Sequence, residues 1–147
     1  MDIGKATVAD VEVISIVLGE IEGYYGGEPV PGDLGQIRAA LFGECPVATV
    51  LLARDGDEVL GLASYSRLWP AAGADTSLYL KELYVREHAR RRGVARGLLA
   101  GLRAEAVALG CSRIEWTADS DNPSALGFYA ALGVERHRGK VFYRAVL

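Results

Sequence analysis

Cysteine and histidine are nearly missing from this chain, with two of each in 147 residues. Cys45 and Cys111 share no close spacing and make no disulfide framework, so they read as two buried free thiols in a reducing cytosol. Both histidines stand far from both cysteines in sequence, and no zinc site or other metal site is expected. Long apolar runs are also missing. The stretch Pro46 to Ala53 is far too short to cross a bilayer, and no membrane association is expected. The start "MDIGKATVAD" lacks the basic-then-apolar pattern of a signal peptide, and a cytoplasmic location is the expectation. Repeats, low-complexity tracts and linkers are absent, so residues 1–147 read as a single domain.

Half of the residues are apolar, enough at this length for a core without staples. The net charge of −3 is unevenly spread. Residues 1–80 carry four basic groups against twelve acidic ones, a net of −8; residues 81–147 carry twelve against seven, a net of +5. This split points to a cationic site in the second half and an acidic one in the first. It argues against a nucleic-acid binder, which is usually basic as a whole domain.

Periodicity predicts a short strand near Ile3–Ala6. Thr7 and Asp10 then cap a helix to about Tyr24, with Val11, Ile14, Leu18 and Ile21 on one face. "GGEPVPGD" breaks it, and a second short helix covers Leu34 to Phe42. Val47 to Arg54 and Val59 to Ser66 form a hairpin around the turn "DGDE". After a Pro/Ala/Gly loop comes a strand from Ser77 to Val85, then a long helix from Val94 to Leu109 closed by Gly110. Arg113 to Ala118 reads as a strand, and Asn122-Pro123 opens a helix to Leu132. Two last strands are expected at Val134–His137 and Val141–Val146. The fold class is α/β (α+β): a mixed, mostly antiparallel sheet of six to seven strands with about four helices. The passage from Leu78 to Thr117 makes a parallel pair.

The segment "ARRRGVARGLL" sits between a strand and that long helix. The first turn of a helix leaves backbone N–H groups without partners, and its dipole adds partial positive charge. Gly93 admits a ligand close to the backbone and Ala95 keeps the next turn slim. Arginines add charge-assisted hydrogen bonds. Together these features make a pyrophosphate cradle. A merely solvated charge run explains the segment less well, because cations at a helix N-terminus oppose the dipole.

The stretch "LYLKELYVREHARRRGVARGLLAGLRAEAVALG" resembles the central motif of the GNAT family of N-acetyltransferases, with Arg90, Gly93 and Ala95 filling its Arg/Gln-x-x-Gly-x-Gly/Ala pattern. "NPSALGFYAALGV" resembles the family's second motif. "LFGECPVATVLLA", "GLASYSRLWP" and "LYLKELYV" are similar to the diamine (spermidine/spermine) and thialysine branch. The resemblance implies the GNAT fold, with a central strand–helix–strand motif (fourth strand, third helix, fifth strand) that binds acetyl-CoA. The backbone of Leu83, Tyr84 and Val85 would bond the pantetheine arm. The N–H groups of Arg91, Arg92, Gly93, Val94, Ala95 and Arg96 would hold the pyrophosphate, beside Arg90. Asn122 would contact the cofactor near its reacting end. A homodimer is implied as well.

Direct attack of an amine on a thioester needs a neutral amine, donors for the developing oxyanion and a proton for the leaving thiolate. By resemblance Tyr129 is the general acid, and an N–H near Leu83 the oxyanion donor. Glu82 is the candidate base, acting through a water. The diamine branch carries carboxylates at the positions of both Lys81 and Glu82; here the first is lysine, which would repel a polyamine and suit an acceptor carboxylate. Tyr24, Tyr25 and Glu28 lie on the segment that caps the acceptor site in this family. The expected activity is acetyl transfer to a primary amine of a small molecule, polyamine or amino-acid-like. A protein or peptide acetyltransferase of the same fold, or a non-catalytic acetyl-CoA-binding module, remains open at this point.

Overall fold

A computed structural model describes residues 1–147. The chain forms two compact units, Met1–Trp116 and Thr117–Leu147.

The first unit is built on a five-stranded sheet in the order β1 (Asp2–Lys5), β2 (Thr49–Asp55), β3 (Glu58–Leu68), β4 (Ser77–Val85), β5 (Arg113–Glu115). The first four strands are antiparallel neighbours, and β4 pairs with β5 in parallel. Parallel neighbours need a crossover, and α3 (Val94–Ala108) supplies it. Side chains alternate along each strand, so the sheet sorts its apolar residues onto two faces. Leu51, Ala53, Leu60, Ala63, Leu78 and Leu80 meet Val94, Leu98, Leu102 and Ala106 of α3. On the other face Val50, Leu52, Val59, Leu62 and Tyr84 meet α1 (Val11–Tyr24) and α2 (Leu34–Phe42) through Val11, Ile14, Val17, Ile21 and Ile37. Coverage of both faces explains why β2 reads as a near-continuous apolar run rather than an alternating one.

Local chemistry sets the helix starts. A 3-10 turn, Val8–Asp10, precedes α1, and the Thr7 backbone N–H donates to Asp10 Oδ2 at 2.8 Å. Asp10 also accepts from Arg54 of β2 at 2.6 Å, which ties the turn to the sheet. Asp33 caps α2 by accepting from the Gln36 N–H.

The second unit holds α4 (Pro123–Ala131), with Asn122 as its N-cap, accepting from the Ala125 N–H at 3.1 Å. Residues 134–147 form no strand. The six or seven strands expected are therefore five, and the strands foreseen at Val134–His137 and Val141–Val146 are absent. Their apolar residues, among them Val141, Phe142 and Tyr143, stand exposed. An alternating pattern becomes a strand only when a neighbour takes up its backbone hydrogen bonds, and here no strand pairs with it. Cys45 also departs from expectation: it is exposed rather than buried, while Cys111 is half-buried and both are free thiols.

Candidate functional site

β4 leads into the site through a 3-10 turn at Glu87–Ala89, anchored by the fully buried Ala89. Two residues of the loop that follows are left-handed: Arg91 at φ +62° and Gly93 at φ +80°. Gly93 takes that conformation freely, whereas Arg91 pays a steric cost for it. Left-handed residues close together in a loop are the geometry of backbone anion nests. A Cβ at Gly93 would meet open space, so the loop faces a void where a ligand can come close. Helix α3 begins next, with Gly93 as an N-cap that has no side chain to offer and with no acidic residue in the first turn. Its first intrahelical donor is Gly97, bonded to the Gly93 carbonyl at 3.0 Å. The N–H groups of Val94, Ala95 and Arg96 thus stay open to an anion. Helices α2 and α4, by contrast, each have a side-chain cap. A diphosphate fits this loop: turned backbone, uncapped helix dipole and basic residues on both sides.

β4 itself is irregular. Ser64 of β3 faces Glu82 while Tyr65 faces Leu80, so Lys81 is the extra residue of a β-bulge. The bulge resets the alternation. Leu78 and Leu80 face α3, whereas Glu82 and Tyr84 point to the α1–α2 side. On its other edge β4 pairs with β5 only from Ser77 to Tyr79. The edge from Leu80 to Val85 therefore lacks a β5 partner, and every second residue there directs its N–H and C=O into the gap. This splayed edge and the α3 N-terminus lie in sequence order along one path.

Two cavities flank the α1–α2 side of β4. The larger, about 640 Å³, is lined by Glu20, Gly23, Tyr24, Tyr84, Glu87, His88 and Arg90. Arg90 folds into it, with its guanidinium 5.4 Å from the Tyr24 ring centroid and 6.0 Å from that of Tyr84. Its Nε donates to the Val85 carbonyl at 3.3 Å. Tyr24 meets Tyr84 edge-on at 6.1 Å and Tyr25 at 5.1 Å. Glu20 accepts from Arg86 Nε and Nη2, the shorter contact being 2.7 Å, and Arg86 also donates to the Val59 carbonyl. This pairing holds Arg86 above its ordinary pKa. Burial, and then the Glu20 carboxylate, push the Tyr84 phenol up, with Arg90 pulling the other way. The smaller cavity, about 190 Å³, lies between α1, α2 and the sheet; Glu82 and Ser64 are its only polar side chains.

The sequence matches the acetyltransferase (GNAT) family over residues 20–134. The chain belongs to the GNAT family. A curated relative, the L-ornithine N5-acetyltransferase of Arabidopsis thaliana, is 31% identical over 77 residues, which is 52% of this chain. The match spans 34% of that relative, about a third of its length. Among solved structures, an integron cassette protein from the mobile metagenome of V. cholerae superposes with a TM-score of 0.85 at 30% identity, covering 99% of this chain and 91% of the other. An aminoglycoside acetyltransferase from an uncultured soil metagenomic sample, in complex with sisomicin, gives 0.83 at 16% identity, covering 99% and 95%. At that identity the likeness is one of fold.

Within this GNAT chain the sequence-derived residues fall into groups. Arg90, Tyr84 and Tyr24 converge on one cavity, with Tyr25 against Tyr24. Glu82 lines the other. Leu83 and Val85 pack toward the α3 core. Arg92 is exposed and pairs with Asp55 at 3.4 Å. Lys81 and Glu28 are exposed and line neither cavity. In the second unit Asn122 and Tyr129 are half-buried, and the Tyr129 ring lies 5.3 Å from Phe128. Sequence reasoning missed the Glu20–Arg86 pair, whose members lie 66 residues apart. It also missed Tyr65, which donates to Glu105 of α3 at 2.8 Å while Lys5 of β1 pairs with the same carboxylate.

Proposed function

We propose that this GNAT member is an acetyl-CoA-dependent N-acetyltransferase acting on a primary amine of a small molecule, with the whole chain working as one catalytic domain. The uncapped N-terminus of α3, placed after a left-handed loop and a splayed β4 edge, carries this reading. Acetyl-CoA, when bound, supplies an activated acyl thioester. The backbone of Leu83, Tyr84 and Val85 holds an extended, amide-bearing arm as a neighbouring strand would. The N–H groups from Arg91 to Arg96 hold the diphosphate, and Arg90 neutralises its charge once released from the Tyr24–Tyr84 rings. Asn122 contacts the cofactor near its reacting end. A β4 N–H at Leu83 donates to the acyl oxygen as negative charge develops there. Glu82 accepts the ammonium proton, directly or through a water, and Tyr129 delivers a proton to the departing sulfur.

The acetyltransferase from Arabidopsis thaliana acts on ornithine, which supports an amine acceptor. The motif likeness to the diamine and thialysine branch supports a small one; of the residues expected around it, Tyr24 lines the larger cavity with Tyr25 against it, whereas Glu28 and Lys81 line neither cavity. This likeness also implies a homodimer.

A thiol-release assay with acetyl-CoA against amines, amino acids and peptides tests the assignment, and turnover with small primary amines is the expected result. Turnover with peptides alone would make the chain a protein acetyltransferase. Acetyl-CoA at ~100 times its Kd should add about 2.7 kcal/mol to stability and raise the melting temperature. No shift at millimolar acetyl-CoA would reject the cofactor.

A further inference from the structure

The smaller cavity has a composition that a polyamine or an amino acid does not match. Its walls come from three elements: Leu18 of α1, Ile37 and Leu41 of α2, and Val50 and Leu62 of the sheet. Ser64 and Glu82 are the polar side chains among its lining residues, and Glu82 is the only charged one. They sit directly opposite each other across β3 and β4, at the register pair next to the Lys81 bulge. The volume of about 190 Å³ corresponds to roughly six water-sized groups. An apolar recess with a single carboxylate recognises one ammonium joined to one apolar body. A second ammonium, or a carboxylate, carried into the same recess would lose its hydration without gaining a partner.

We infer that the acceptor is a primary monoamine with a short apolar body, an alkyl chain or a single phenyl ring. This rests on the acetyltransferase reading above and names its substrate class. The ammonium pairs with Glu82 and the body fills the recess between α1 and α2. Transfer forms the amide C–N bond and breaks the thioester C–S bond. The ammonium loses two protons: one passes through Glu82 to solvent, and one ends on the released sulfur.

The test compares kcat/KM for ethylamine, butylamine, hexylamine and phenethylamine with the diamine of hexylamine's length and with ornithine. Values should rise roughly threefold to fourfold per added methylene until the recess is full. Hexylamine should exceed its diamine counterpart by about tenfold or more. A diamine or ornithine that matches or exceeds hexylamine would overturn the inference. Ala40, on the α2 wall, gives a second reading: Ala40→Leu should move the preferred chain length down, and an unmoved optimum counts against the recess. Calorimetry separates this inference from the acetyltransferase reading, because it needs no turnover. If acetyl-CoA is neither bound nor consumed, that reading fails. The recess is then judged by whether hexylamine alone binds more tightly than its diamine, with equal or weaker binding overturning it.

Discussion

In the proposed reaction Gly93 and Tyr129 would bear on different steps, and substitutions at them should separate. A side chain at Gly93 would point into open space, so the fold has room for it. Glutamate there would still strain the backbone at φ +80° and would set negative charge against the helix N-terminus proposed to hold a diphosphate. Gly93→Glu should therefore abolish acetyl-CoA binding by calorimetry, while circular dichroism still reports a folded chain; normal binding would show that the cradle lies elsewhere. Tyr129→Phe keeps the ring beside Phe128 and removes only the hydroxyl. Turnover should fall by about 10²-fold, in the range of one positioned proton donor, with acetyl-CoA affinity nearly unchanged. Equal losses in both would make the tyrosine a packing residue.

At the level of elements, α3 carries both the proposed cradle and one side of the core. Leu98 is fully buried between the sheet and the helix axis, one turn after the open N–H groups of Val94 to Arg96. Leu98→Ala should cost about 2–5 kcal/mol in denaturant unfolding, and acetyl-CoA should restore part of the lost melting temperature. The helix was legible in the sequence because its signals are local: the 3.6-residue period, and glycines at both ends. The β2–β3 hairpin was legible for the same reason, through "DGDE". Other features were not, because they depend on distant partners. β5 stops at Glu115 rather than Ala118, and Val141–Val146 alternates without a neighbour to pair with. Within the site, Tyr24, Tyr84 and Arg90 were each readable as separate candidates. Their stacking around one cavity depends on α1 lying against β4, which no short-range pattern records. The bulge at Lys81 is of the same kind. The sequence shows a lysine where the resemblance expects a carboxylate; only strand register shows that this lysine is the extra residue that turns Glu82 toward the apolar recess.

Across the whole molecule, two carboxylates tie remote elements together and set the response to acid. Lys5 and then Tyr65 hold Glu105 below its ordinary 4.5, against the opposing effect of burial. Burial pushes Asp10 up, but the Thr7 N–H and Arg54 outweigh it and leave it below its ordinary 3.8. Groups with depressed native pKa stabilise the fold above their unfolded values and lose that contribution as pH falls through the native ones. The thermal midpoint should hold down to about pH 5 and decline below it, and Lys5→Met should flatten part of that decline. An equally steep decline in Lys5→Met would place the acid sensitivity elsewhere. The end of the β4–β5 pairing at Tyr79 has a consequence of another sort. A site that binds through main-chain amides is indifferent to which side chains hang from them. In the proposed mode of binding the side chains of Leu83 and Val85 answer to the core rather than to the ligand, so drift among apolar residues that keep this packing would leave the grip on an extended arm unchanged. Proline, which has no N–H to give, is the one residue such drift could not admit at the positions facing the gap.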